Sequence, residues 1–271
     1  VIVTGSYLGK ALQKEFFLPA GDTDKLQMGT LSFEEFVSAL GDGEFYRTAE
    51  PYGGSEPSVY EKLKEYFDIY QKIGGYPAVV THYVEHHDIR KCEEMIGRLM
   101  DIFTSESTRY FTDIMDVDIF PKLFQAIAIL MLREKQGVRE LGSELSKIIY
   151  QEESGRTTKK MVNHAISWLA QSHIIGYASK STDCDYLQIK ENCRYYFLDL
   201  GIAYYFLKTT GAVPEQVKGL LAENYVYLCL RERMQKRREI AGNTPWFALY
   251  QKTKGELDFY VRSLMDYKNY G

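Results

Sequence analysis

Apolar positions along the chain follow two periods, and the helical one dominates the first two thirds. From Pro57, Val59, Leu63, Tyr66, Phe67 and Tyr70 recur three and four residues apart and stop at Gly74-Gly75, predicting an amphipathic helix closed by glycine. Upstream, "LSFEEFVSAL" predicts a helix capped by Ser32, with Glu35 three residues on as in a capping box. The β-branched run Val1–Val3 predicts a buried strand, followed by a helix from Tyr7 to Phe17 and a short strand at Leu26–Met28. Gly41 to Pro57, rich in Gly, Pro and Ser, reads as a linker or long loop. Further helices are expected at about 78–103, 105–116 and Ile119–Gln136.

"VRELGSELSKIIYQEESGRTTKKMVNHAISWLAQSHIIGYA" continues as helix, turn, helix and strand, the pattern of a helix-turn-helix, with Ser154-Gly155 at the turn. Met161, Ala165, Ile166 and Leu169 are placed toward a core, and Ile174–Ala178 pairs with Tyr186–Ile189 as a wing. The polar face carries Arg156, Lys159, Lys160, Asn163 and His164, where a recognition helix would meet phosphates and base edges. Docking onto a protein fits the same pattern.

In the last third the period changes. "YYFLDLGIAYYFL" reads as strand, turn and helix, "GLLAENYVYLCLRERMQKRRE" as a long helix, and "PWFALYQKTKGELDFYVRSL" as a hairpin. Leu257, Phe259 and Val261 alternate with Glu256, Asp258 and Tyr260, which puts two carboxylates about 7 Å apart on one strand face.

Composition narrows the classes. The 271 residues, 45% hydrophobic, suffice for two or three cores. A net charge of −4 argues against a chain that coats nucleic acid throughout, though a local basic surface is compatible. Cys92, Cys184, Cys193 and Cys229 are scattered without a C-x-x-C pair, so neither a zinc ribbon nor a disulfide framework is expected. No apolar run is long enough to cross a membrane, and the chain starts at Val on a strand that needs neighbours. The expectation is a fragment of a larger cytosolic protein, without membrane contact.

Three stretches carry candidate chemistry. "VIVTGSYLGK" approaches a phosphate loop, but Gly5 and Gly9 enclose three residues instead of four, and Ala11 stands where a magnesium-binding hydroxyl belongs. Glu256 and Asp258, with Glu223 on the preceding helix, form an acidic set able to hold magnesium through oxygen ligands and activate water for phosphodiester cleavage; a solvated strand face is the plainer alternative. His82 and His86, one helical turn apart with Glu85 between them, have a spacing that binds zinc from one helix face, but no further ligand follows and H-E-x-x-H is absent. A solvated helix face is the expectation there.

Taken in order, "VIVTGSYLG", "LSFEEF", "GGYPAVV", "YYFLDLGIA", "GLLAENYVYLCL" and "GELDFYV" resemble a bacterial and archaeal family of AAA-type ATPases with a restriction-endonuclease-like C-terminal domain. The resemblance implies a mixed multidomain chain that follows the Walker motifs: the end of a P-loop ATPase α/β core over 1–45, a helical lid over 46–117, a winged helix-turn-helix over 118–190 and a nuclease-like α/β domain over 191–271, apparently truncated. Val1–Ser6 would be the sensor-1 strand, with Ser6 sensing the nucleotide γ-phosphate. Glu223, Glu256 and Asp258 fall on the acidic positions of the PD-(D/E)xK fold, with Glu223 and Asp258 as weak magnesium ligands. No E-V-K strand follows in "VRSLMDYKNYG".

The expected function is therefore the C-terminal portion of an ATP-binding, DNA-associated AAA-type protein. ATP and magnesium belong to the full-length nucleoside-triphosphatase, and this portion is expected to bind neither tightly and to be inactive. Arg156, Lys159, Lys160 and Asn163 are the candidate contacts to duplex DNA. The alternative is a non-catalytic interaction module with a degenerate nuclease fold that meets a protein partner or another copy of itself.

Overall fold

The computed structural model describes residues 28–50, 54–111, 119–134, 159–180, 193–236, 244–249 and 255–261. Val1–Ser6, the helix at Tyr7–Phe17, Arg156 and Tyr186–Ile189 lie outside them. Among the described residues the fold is mixed: many helices and one four-stranded sheet. The chain divides into two compact units, Val1–Val117 with Lys160–Ile174 and Leu198–Tyr205, and Asp118–Lys159 with Ile175–Phe197 and Phe206–Gly271.

The described residues of the first unit are helical. Helix α1, Phe33–Ala39, begins on the expected capping box: Glu35 N–H donates to Ser32 Oγ at 3.3 Å, and Ser32 N–H donates to the Glu35 carboxylate at 2.7 Å. Each bond satisfies a backbone donor that a helix start leaves without an intrahelical partner. Phe33, Phe36 and Val37 form its buried stripe, and Phe33 meets the rings of Tyr46 and Phe67 edge-on. Tyr46 belongs to α2, Gly43–Thr48, a short helix in the stretch expected as loop. Its start, Asp42, makes no side-chain cap, so no local signal marks where this helix begins.

Helix α3, Pro57–Ile73, runs from a proline at its first turn to Gly74, as its periodicity predicts. Helices α4, Pro77–His86, and α5, Ile89–Phe111, replace the expected pair divided near residue 104. The break falls instead at His87, which takes the left-handed conformation with φ 52°. Thr104 and Ser105 offer neither glycine nor proline, and Thr108 Oγ1 returns its hydrogen bond to the Thr104 carbonyl, so the helix continues. After helix α6, Ile119–Glu134, comes α7, Lys159–Gln171. Helix α7 buries Val162, Ala165, Trp168 and Leu169, with Ile166 half-exposed, and Trp168 Nε1–H donates to Ser107 Oγ at 2.9 Å.

The second unit holds the sheet and α6, whose apolar residues are buried nearly all round. Strands β1, Ile175–Lys180, β2, Cys193–Phe197, β3, Trp246–Leu249, and β4, Glu256–Tyr260, lie in the order β2-β1-β3-β4. β1 pairs antiparallel with β2, Ile175 opposite Phe197, and parallel with β3, Ser179 opposite Trp246; β3 and β4 form the expected hairpin. The strand read as a wing and the strand read as opening the next domain are thus hydrogen-bonded neighbours in one sheet. Helix α8, Leu200–Leu207, follows β2, and helix α9, Pro214–Lys236, buries Val217, Leu220, Leu221, Asn224 and Tyr227 at helical spacing.

Candidate functional site

In the second unit the chemistry gathers around β2. Arg194 is 2% exposed although it carries a permanent charge. One guanidinium nitrogen, Nη2, bonds the Glu256 carboxylate, and the other, Nη1, lies 3.4 Å from Asp258 Oδ1. Its plane also sits over the Phe247 ring at 4.3 Å, a desolvated cation–π contact. Strand alternation thus brings Glu256 and Asp258 together as expected, but onto the fork of an arginine.

Tyr196, two residues along the same strand and fully buried, donates its hydroxyl to Glu223 Oε1 at 3.0 Å and stacks on Tyr227 at 4.3 Å between ring centres. Tyr227, its phenol pushed up by burial, remains a neutral donor and bonds the Tyr177 carbonyl at 3.2 Å. Beside it, Asn224 of α9 accepts from Phe197 N–H at 3.0 Å and donates to the Phe197 carbonyl at 2.8 Å. One side chain thereby closes both main-chain groups of that β2 residue, as a neighbouring strand would. Glu223 is held by a tyrosine and the acid pair by an arginine, so the expected convergence of three carboxylates on one cation is not what these contacts build. Among the described residues no three His, Cys, Asp or Glu side chains stand where they could share a metal ion. The physical reason is the buried guanidinium, which supplies to Glu256 and Asp258 the positive charge a metal would supply.

The first unit holds a second centre that sequence reasoning missed. Asp199, at the corner between β2 and α8, is buried and accepts from Gly75 N–H at 2.8 Å and Ile202 N–H at 3.1 Å, and also from Gly201 N–H and the Thr30 hydroxyl. Burial pushes its carboxyl up, and these four donors offset that only in part. The approach is close: a Cβ on Gly74 would stand 2.0 Å from Asp199 Oδ1, and one on Gly75 would stand 2.0 Å from the Leu31 carbonyl oxygen. "GGYP" and "LDLG" are two halves of one cradle. The signal was the glycine pair placed where only a side-chain-free backbone can reach a carboxylate.

The remaining candidates are more scattered. Asn163 and His164 are exposed on α7; Ser6 and Arg156 lie outside the described residues, as do the side chains of Lys159 and Lys160. Cys92 is buried, its thiol pushed up to about 11 by burial, and it donates to the Val79 carbonyl at 3.6 Å, so it packs and does not react. His82 and His86 share one face of α4. The sequence signal for Arg194 was a single arginine inside the apolar strand "CRYYF".

No curated protein and no solved structure matches the chain. Residues 64–212 match the model of a family described as a domain of unknown function, DUF8612, a stretch that takes in Gly74, Gly75, Arg194 and Asp199 and stops before Glu223, Glu256 and Asp258. Covering more than half of the sequence, this match makes the chain a member of that family.

Proposed function

We propose that this chain is the helical-lid and sheet portion of a cytoplasmic, ATP-dependent AAA-type protein, and that its nuclease-like sheet is a non-catalytic interaction module. The order of motifs from "VIVTGSYLG" to "GELDFYV" supports the first half. The second half rests on one observation: Arg194 occupies the fork between Glu256 and Asp258. A metal-dependent nuclease needs those carboxylates free to hold a cation that activates water, and a guanidinium can neither be deprotonated nor carry a nucleophilic water. ATP and magnesium are then bound by the ATPase core of the intact protein. Among the described residues no helix is long and apolar enough to cross a membrane.

Duplex DNA is the partner that the sequence pattern of Arg156, Lys159, Lys160 and Asn163 suggests, with Asn163 exposed on α7. Protein docking is the competing reading of that pattern.

The test is a supercoiled-plasmid nicking assay of the chain with magnesium and with manganese, run beside Asp258→Ala. No nicking by either protein is expected. Metal-dependent nicking that disappears in Asp258→Ala would overturn the non-catalytic reading. Micromolar ATP affinity of this chain by calorimetry would overturn the assignment of nucleotide binding to a separate core.

A further inference from the structure

Helix α4 carries an arrangement unrelated to the sheet. The rings of His82 and His86 lie 4.6 Å apart between centres and are tilted by 47°. His82 is half-buried, and its Nε2 is shielded from water with no hydrogen-bond partner. An uncharged imidazole carries one N–H and one lone pair, and leaving either buried and unmatched is costly. Such a nitrogen calls for an occupant. His86 is different: its side chain is 58% exposed, and its Nε2 lies 3.7 Å from a Glu85 carboxylate oxygen.

We infer that His82 and His86 form a two-imidazole site for a divalent transition metal such as zinc or copper. Residues four apart on a helix present their side chains to one side, which is how helix-borne histidine pairs chelate a metal. Imidazole suits zinc, copper and nickel and discriminates against magnesium and calcium, which take oxygen ligands. Ring centres 4.6 Å apart are close enough for both imidazoles to reach one ion, and His86, the exposed partner, is the one able to turn its nitrogen toward it. The Glu85 carboxylate, 3.7 Å from His86 Nε2, is placed to accept from that nitrogen when His86 binds the metal through Nδ1.

No third described His, Cys, Asp or Glu completes the set, so the remaining positions fall to water or to a ligand from another molecule. The bound metal is therefore exchangeable, and copper binds more tightly than zinc. His87, next in sequence, takes no part: its ring packs edge-on against Tyr83 at 5.3 Å.

The experiment titrates the chain with zinc chloride by calorimetry and with copper chloride by electron paramagnetic resonance, at neutral pH. Wild type is expected to take up one equivalent and, with copper, to show coupling to two imidazole nitrogens. His86→Ala, a substitution at an exposed position, should weaken binding by about tenfold or more and leave a single nitrogen in the copper spectrum. His164→Ala, at the exposed histidine of α7, should bind as wild type does. Absence of metal uptake by wild type, or His86→Ala binding copper with an unchanged affinity and spectrum, would overturn the inference.

Discussion

Gly74→Ala should be among the most damaging single-methyl additions in the helical unit. Gly74 has φ 68° and ψ −159°, a region populated essentially by glycine, so a side chain there costs about 1–3 kcal/mol in backbone strain alone. The added Cβ would also stand 2.0 Å from Asp199 Oδ1 and 2.6 Å from its Cγ. Asp199 cannot turn aside cheaply, because its oxygens hold Gly75 N–H and Ile202 N–H, and each buried donor left bare costs about 1–3 kcal/mol. Strain plus one lost bond gives a destabilisation of about 2–6 kcal/mol, a large fraction of the roughly 5–15 kcal/mol by which proteins are stable.

Gly41 supplies the control for strain without a clash: its φ is 90° and nothing lies within 4 Å of the position a Cβ would take, so Gly41→Ala should cost about 1 kcal/mol. A double-mutant cycle isolates the steric term. Asp199→Ala alone leaves several buried donors bare and should cost about 2–4 kcal/mol, offset in part because a desolvated carboxyl is no longer buried. It also removes the atoms that the methyl group of Gly74→Ala would strike, so the double variant should cost less than the sum of the singles by at least about 1 kcal/mol. Urea unfolding followed by far-ultraviolet circular dichroism measures all four proteins. Additivity within about 0.5 kcal/mol would refute the claim that the glycine is required by the carboxylate.

Other consequences follow from single contacts. Asn224→Asp keeps an acceptor for Phe197 N–H but turns a carboxylate toward the Phe197 carbonyl, so thermal unfolding should show a loss of about 2 kcal/mol or more. Arg194→Met should cost about 1–3 kcal/mol, less than breaking a fully buried pair, because Glu256 and Asp258 side chains are 45% and 54% exposed and can rehydrate. Ser32→Ala removes one half of the capping box and should cost about 1 kcal/mol in the same assay. Asp199 also sets a pH dependence: its folded carboxyl is raised above the ordinary 3.8, so between the two values the folded state keeps a proton the unfolded chain has lost. Stability should fall as pH rises through that window and level off above it, and Asp199→Asn should remove the slope in urea midpoints measured across it.

Local signals made the helices readable, and long-range ones placed the errors. Ser32 and Glu35, Pro57 and Gly74 mark their helix ends by chemistry within a turn, and the structure starts and stops there. The boundary between α4 and α5 was misplaced because His87 takes a left-handed conformation without being glycine or asparagine, which no local pattern signals. The strand order β2-β1-β3-β4 joins residues far apart in sequence, and alternation specifies which face of a strand is buried but not which strand lies beside it.

The acid pair was legible and its counter-ion was not, for a related reason. Glu256 and Asp258 share a strand, so period two alone places them on one side, whereas Arg194 lies more than sixty residues earlier and reaches them only because β2 and β4 enter one sheet. Without Arg194, two adjacent carboxylates ask for a cation, and a metal is the natural answer. With it, the demand is already met by a side chain that is 2% exposed and packed on Phe247, where its charge would be costly to bury alone. Arg194 therefore needs the acids more than they need it, and a metal entering the fork would have to displace its guanidinium. The same acids that suggest catalysis in the sequence are, with Arg194 between them, the partners of a buried guanidinium in the sheet.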